Sequence, residues 1–358
     1  MALSSSSSSL PMPVIGRLPA GPRDSITDVG GVTLGHRTLA EGDVQTGVTV
    51  IRPHGGDAFR DKVPAAAVVF NGFGKSVGLV QLAELGVLET PIALTNTFSV
   101  GCVATAQIRA CVATNPECGR SLATVNPLVF ECFDGFLNDI QRLAVTEADY
   151  RLALVAAARD FAQGAVGAGR GMSSFQVKGG IGSASRMVAV GGVSYTVGAL
   201  VLANYGKPGQ LVLAGEAMGE RLSRRLAADV DEPEKGSIII VLATDAPLDA
   251  RQLRRLAMRA GAGLARTGSV FGHGSGDIAL AFSTAYTVPD RPERAMPSPA
   301  LLHEMRLDGL FQAAADSTEQ AIVHALLRAT AVTGRDGHHR AALAELLYSS
   351  SSSSPPPF

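Results

Sequence analysis

Gly236-Ser237-Ile238-Ile239-Ile240-Val241-Leu242 is the stretch around which the rest of this chain can be read. Five aliphatic residues in succession form an uninterrupted apolar run of β type, and the polar stretch Asp229 to Lys235 before it reads as an exposed loop. A glycine and a serine at such a junction are an ordinary turn entering a strand. The same pair has a second reading. If the chain cuts itself between Gly236 and Ser237, the new α-amine lies beside the serine's own hydroxyl. An α-amine has a pKa near ~7.7–8, so much of it accepts a proton at neutral pH, which a lysine near ~10.4 mostly cannot. Nucleophile and general base would then belong to one residue, with no histidine required.

The surroundings are those of a folded domain. Of 358 residues, 46% are apolar and 18% charged, which predicts a substantial core rather than disorder. Lys plus Arg (31) nearly balances Asp plus Glu (32), and the formal charge of −1 argues against nucleic-acid and polybasic membrane-surface binding. Cys102, Cys111, Cys118 and Cys132 form no C-x-x-C pair and accompany no histidine cluster of zinc spacing, so they read as plain thiols and no metal is expected. Neither a signal-peptide core nor a membrane-length apolar run is visible, which points to a cytoplasmic protein. Serine runs at Ser4 to Ser9 and Ser349 to Ser354 predict disordered tails over residues 1–23 and 346–358, around one domain at 24–345.

Within that domain, residues 46–51 and 64–70 read as strands, 77–88 as a helix ended by Gly86, and 91–95 as a short strand. Residues 103–113 and 150–163 read as alanine-rich helices. The glycine-rich run 164–185 follows a helix and lacks a distal acidic residue, so it is not a dinucleotide fingerprint; turns lining a cleft fit better. Strands are predicted at 186–190 and 195–204, a helix at 215–227, a strand from Ser237 to Thr244, a helix at about 250–266, and a strand at 278–284. Two helices, near 298–315 and 318–331, complete the series. Strands and helices come in groups, which favours stacked sheets covered by helices, an α+β arrangement, over a doubly wound parallel sheet.

A second informative stretch, Gly272-His273-Gly274-Ser275-Gly276-Asp277, stands in front of the strand at Ile278. Its glycines let backbone and hydroxyl approach a small site, and the intervening helix could return Ser275 and Asp277 to the side of Ser237. A polar strand-entry turn has the same composition. A Ser-His-Asp triad of His273, Ser275 and Asp277 is disfavoured, because neighbours in one turn seldom converge and no G-x-S-x-G elbow is present.

Together these segments resemble the L-aminopeptidase/D-esterase family of self-processing serine aminopeptidases, which includes β-peptidyl aminopeptidases. The resemblance runs from about Asp24 to Val288 through DVGGVTLGH, TGVTVI, NGFGKSVGLVQLAELGVLETPIALTNT, DGFLNDI, GAGRGMSSFQVKGGIGSASR, LANYG, GSIIIVLATDAPL and GSGDIALAFST. It implies a four-layer αββα sandwich similar to N-terminal-nucleophile hydrolases with altered connectivity. It implies cleavage into an α chain ending at Gly236 and a β chain starting at Ser237, and a homo-oligomer of processed units. Ser237 would be the nucleophile, Ser275 and Asp277 the orienting hydroxyl and carboxylate, and Asn204 the oxyanion donor. Some family members carry glutamate where Asp277 stands. The substrate would be a short peptide, amino-acid amide or ester, with no cofactor. Its ammonium needs an acidic partner, for which Glu131 and Asp134 beside Phe133 are candidates, ordinary turn residues otherwise. The family pattern has a tyrosine just before the DG of this stretch, whereas Glu131-Cys132-Phe133-Asp134 has none. Two alternatives stand beside hydrolysis: an acyltransferase on the same architecture, which uses threonine as nucleophile in ornithine acetyltransferase, and an unprocessed, non-catalytic binding homologue.

Overall fold

The computed structural model describes residues 12–226 and 236–348. The run after Ser237 becomes strand β8 of the numbering used below, and its alternation sets the layers. All eight residues of Ser237–Thr244 are buried. Ile238, Ile240 and Leu242 face one apolar cluster, while Ile239, Val241 and Ala243 face another. A strand whose two faces are both apolar must be covered twice, by helices on one side and a second sheet on the other. Each fully buried aliphatic side chain contributes about 1.5–3 kcal/mol, so this strand anchors both layers.

In chain order the principal elements are β1 (Thr33–Glu41), β2 (Val44–Arg52), β3 (Asp61–Gly72), α1 (Leu79–Leu85), β4 (Ile92–Asn96), α2 (Val100–Thr114), β5 (Val129–Cys132) and α3 (Glu147–Val155). Then come β6 (Gly180–Val190), β7 (Val193–Asn204), α4 (Gly219–Leu226), β8 (Ser237–Thr244), α5 (Ala250–Arg266), β9 (Gly276–Ser283), α6 (Asp308–Leu327) and α7 (Leu343–Tyr348). One sheet runs β1-β2-β4-β5, and the larger one runs β3-β9-β8-β7-β6 with two short strands on β3. Strands β8 and β9 are parallel, as are β4 and β5, and each parallel pair is joined through a helix, α5 and α2 respectively. The other neighbours along these two main orders are antiparallel.

Leu94, Phe130, Leu202, Ile239 and Phe282 fill the space between the sheets. Val48, Val50, Val103 and Tyr150 pack under α2 and α3, and Ile240, Leu256, Ile322 and Leu326 under α5 and α6. The result is the expected αββα sandwich. Gly182 in β6 permits the close approach of α6, since a Cβ there would stand 1.9 Å from the Ala321 carbonyl oxygen. Among the described residues no helix is long and apolar enough to cross a membrane.

Several local expectations are corrected. The helix expected at 150–163 stops at Val155, because Ala158 instead exchanges backbone hydrogen bonds with Leu34 at 2.9 and 3.0 Å. The two helices expected at 298–315 and 318–331 are one, α6. Its polar middle does not break it: Ser317 and Thr318 donate to the carbonyls of Ala313 and Ala314, and Asp316 pairs with Arg266 at 2.7 Å. Within the tail predicted at 1–23, residues 12–23 are anchored at a few points; Ile15 is buried, its N–H donates to Gln320 and its carbonyl accepts from buried Arg186. Residues 1–11 lie outside the described residues. At the other end α7 runs to residue 348, and residues 349–358 lie outside the described residues.

Candidate active site

Register brings the site together. Asn204, last in β7, is opposite Ser237, first in β8, and Ile238 is opposite Asp277 near the start of β9. The C-terminal end of one strand thus meets the N-terminal ends of two parallel strands. Ser237 is 6% exposed, and its Oγ accepts the backbone N–H of Gly276 at 3.0 Å. Ser275 Oγ donates to Asp277 Oδ1 at 2.5 Å, both residues being buried. Asn71, at the end of β3, donates from Nδ2 to the carbonyls of Gly272, His273 and Ser275, which clasps the loop that carries this pair. His273 is exposed and lies against the Phe73 ring, so no serine–histidine pair forms there.

The Asn204 amide is fixed at both ends. Its Oδ1 accepts the Ser173 N–H at 2.8 Å and its Nδ2 donates to the Phe133 carbonyl at 2.9 Å. Ser173 opens a short hairpin in the glycine-rich run, and that hairpin is held from beneath by Lys178. The Lys178 Nζ donates to the carbonyls of Gly169, Met172 and Gly179 at 2.6–2.8 Å. Burial pushes the lysine's pKa well below its ordinary value, and three carbonyl acceptors match the three donors of an ammonium. Asn71, Ser173 and Lys178 were not singled out from the sequence, because each acts through a backbone group, its own or another residue's, and no motif marks that.

Gly236 has no room for a side chain: a Cβ would stand 2.1 Å from the Asn204 carbonyl oxygen. The residue before Ser237 is therefore glycine for a steric reason. Below the serine, Cys132 Sγ donates to the Ser237 carbonyl at 3.5 Å and the Leu202 carbonyl at 3.6 Å. Burial first, then the charges of Glu131 and Asp277, raise this thiol well above its usual range. A cysteine next to the serine is thus kept protonated and is no rival nucleophile.

Glu131 and Asp134, read together from the sequence, separate in space. Glu131 borders a hollow of about 350 Å³ together with Phe73, Lys75, Thr97, Phe133 and Ser237. Its carboxylate accepts the Lys75 N–H at 2.8 Å and the Thr97 hydroxyl. Phe133 is 42% exposed and borders this hollow and a neighbouring one. Asp134 borders neither. It is buried, with Thr46 Oγ1 donating to Oδ2 at 2.6 Å and Asn138 Nδ2 to Oδ1 at 3.1 Å. Asp134 is therefore corrected from a substrate partner to a turn-holding residue.

Burial raises the Asp134 carboxyl to about 7, against the opposing pull of its hydrogen bonds from Thr46, Asn138 and Asn96. A carboxyl raised on folding contributes stability that is full below its unfolded value and is lost as pH rises through its folded one. Between about pH 4 and 7, wild type should therefore lose stability relative to Asp134→Asn, whose amide cannot ionise. Denaturant midpoints of both proteins at pH 5 and pH 8 check this. An unchanged difference contradicts it.

Phe133, where the family pattern has a tyrosine, carries no hydroxyl. Tyr205 borders the second hollow, but its hydroxyl pairs with Thr267 at 2.6 Å.

The chain is similar to known proteins over most of its length. Residues 24–340 match peptidase family S58. The β-peptidyl aminopeptidase BapA of Sphingosinicella microcystinivorans is 38% identical over 340 residues, covering 89% of this chain and 85% of that protein. The PH0078 protein of Pyrococcus horikoshii OT3 superposes with a TM-score of 0.87 at 47% identity, over 92% of this chain and 94% of that one. An L-aminopeptidase D-Ala-esterase/amidase from Ochrobactrum anthropi, described as a prototype of the serine aminopeptidases and a variant of the Ntn hydrolase fold, does so at 0.84 and 36%, over 92% and 93%. These likenesses favour hydrolysis over acyl transfer and over a non-catalytic homologue. The chain belongs to peptidase family S58 and is a hydrolase of the serine-aminopeptidase type.

Proposed function

We propose that this aminopeptidase matures by cutting its own Gly236–Ser237 bond and then uses Ser237 as an N-terminal nucleophile. The freed α-amine of Ser237 takes the proton of its own hydroxyl, and Oγ attacks the carbonyl of a substrate's first residue. An acyl-enzyme forms, the remainder of the substrate leaves with a proton, and water releases the acyl group. Ser275 and Asp277 orient the amine. Asn204 uses one Nδ2 proton on Phe133 and turns the other to the developing oxyanion. The observation that carries this reading is the meeting of Ser237, Asn204 and the Ser275–Asp277 pair at one end of the central sheet.

Glu131, in the hollow beside Ser237, is the partner for the substrate's ammonium. The substrates are short peptides, amino-acid amides or esters with a free N-terminus. Likeness to β-peptidyl aminopeptidases supports β-amino acids among the first residues accepted. The resemblance to the family supports an oligomer of processed units. For Glu131→Gln, KM for an aminoacyl amide should rise roughly 10–100-fold, the worth of one charge-assisted hydrogen bond, with a smaller change in kcat. Steady-state kinetics of the processed protein test this; an unchanged KM removes Glu131 from ammonium recognition.

A further inference from the structure

Met172 and Ser173 share one peptide unit, and that unit stands between the Lys178 ammonium and the Asn204 side chain. Its carbonyl accepts from Lys178 Nζ at 2.6 Å, and its N–H donates to Asn204 Oδ1 at 2.8 Å. The same carbonyl also accepts the Gly179 N–H at 3.0 Å. The Asn204 amide continues the line: one Nδ2 proton goes to the Phe133 carbonyl at 2.9 Å, and the other is the one assigned to the oxyanion. A charge therefore heads two amides in series, each with its donor towards the place where negative charge develops. Hydrogen bonds linked in this way polarise one another, by roughly 10–30% per bond. Lys178 is fully buried, and its remaining contacts are the carbonyls of Gly169 and Gly179, each at 2.8 Å. Three carbonyls need three N–H donors, which the ammonium has and the neutral amine lacks.

The hairpin that carries this line is strained and closely fitted. Ser173 and Ser174 pair with Lys178 and Val177, and the turn between them is Phe175-Gln176, at φ 53° and 59°. Two successive non-glycine residues in the left-handed region persist only where their surroundings hold them. Here the surroundings are the neighbours of Asn204. The Phe175 N–H donates to the Tyr205 carbonyl at 2.9 Å, and the Tyr205 N–H donates to Ser174 Oγ at 3.3 Å. The buried Phe175 ring lies edge-on to that of Tyr205, with centroids 5.2 Å apart. On the other side of Asn204, a Cβ at Gly179 would stand 2.3 Å from the Ala203 carbonyl oxygen. The hairpin thus grips the chain before and after Asn204, with the lysine at its base. We propose that Lys178 is a positioning residue for catalysis, which orients and polarises the Asn204 amide through the Met172–Ser173 peptide. This inference rests on the reaction proposed above, in which Asn204 is the oxyanion donor.

The test is a double-mutant cycle on protein whose self-cleavage has gone to completion, read by steady-state hydrolysis of an aminoacyl p-nitroanilide. Lys178→Met keeps an unbranched side chain and removes every N–H donor. It should lower kcat about 10–100-fold, less than the loss of the oxyanion donor itself, and leave KM nearly unchanged. In an Asn204→Ala background the same substitution should barely alter kcat, because the group it acts through is gone. Lys178→Gln keeps two N–H donors, should lose less, and replaces the methionine variant in the cycle if that protein does not fold. Wild-type kcat in Lys178→Met overturns the proposal, as does a loss carried by KM alone. So does an equal loss of kcat in both backgrounds, since the lysine would then act apart from Asn204. If neither variant folds, the lysine is a support of the fold and the proposal falls. Asn204→Ala by itself identifies a wider failure. Wild-type kcat in that variant condemns the oxyanion assignment first, whereas a slow Asn204→Ala beside a fast Lys178→Met condemns only the role of the lysine.

Discussion

Ser237→Ala should leave the chain as a single unbroken band and lower kcat/KM on any aminoacyl substrate by roughly 10⁴-fold or more, the scale seen when a serine nucleophile is removed. The two losses share one cause. The hydroxyl is the attacking group in self-cleavage and in substrate turnover, and without the first step the α-amine that serves the second never forms. The structural cost of the substitution is small by comparison. Ser237 Oγ accepts one N–H, from Gly276, and leaving that donor unsatisfied costs about 1–3 kcal/mol. The apolar faces of β8 begin at Ile238 and are untouched. Thermal unfolding of the variant should therefore remain cooperative and near wild type, while gel and activity assay both read zero. Activity retained by an uncut Ser237→Ala protein would remove Ser237 from the mechanism.

The second large effect is expected at Asn204. Removal of an oxyanion donor typically lowers kcat by 10²–10³-fold, because the bond strengthens only as charge develops. Asn204→Ala should show that loss with little change in KM, and the two fragments should appear more slowly, since cleavage of Gly236–Ser237 passes through an oxyanion of its own. Alanine also abandons the Ser173 N–H and the Phe133 carbonyl, at about 1–3 kcal/mol each, so a lower melting temperature is expected as well. Asn204→Asp separates the two roles. It keeps an acceptor for Ser173 and lacks the donor, so it should be at least as inactive as the alanine variant. A processed Asn204→Asp protein with wild-type kcat contradicts the assignment.

The parts of the fold legible in the sequence were those with unambiguous patterns. The strand from Ser237 to Thr244 and the helix over 250–266 sit where expected, one a purely aliphatic run, the other closed by reciprocal hydrogen bonds between Asp249 and Gln252. Strand β1 escaped notice because it is a half-exposed edge with mixed residues, and β5 because it is four residues long. The middle of α6 looked like a break because its serine, threonine and aspartate find partners that only the folded molecule supplies.

The site divides along the same line. Ser237, Asn204, Ser275 and Asp277, named through the family resemblance, lie at the ends of neighbouring strands. Glu131 and Asp134 are three residues apart in one acidic stretch, and only the turn after β5 decides that one faces the hollow and the other the interior. Arg335 and Arg340 come from a segment remote in sequence that carries no motif, and packing brings them to the hollow beside Gly236.

Which bond is broken decides whether this account of the enzyme stands, and N-terminal sequencing with intact mass of the purified, active protein answers it. The account requires a fragment of 122 residues, from Ser237 to Phe358, with serine as its first residue. Active protein whose Gly236–Ser237 linkage is whole, or whose new terminus lies anywhere else, contradicts it.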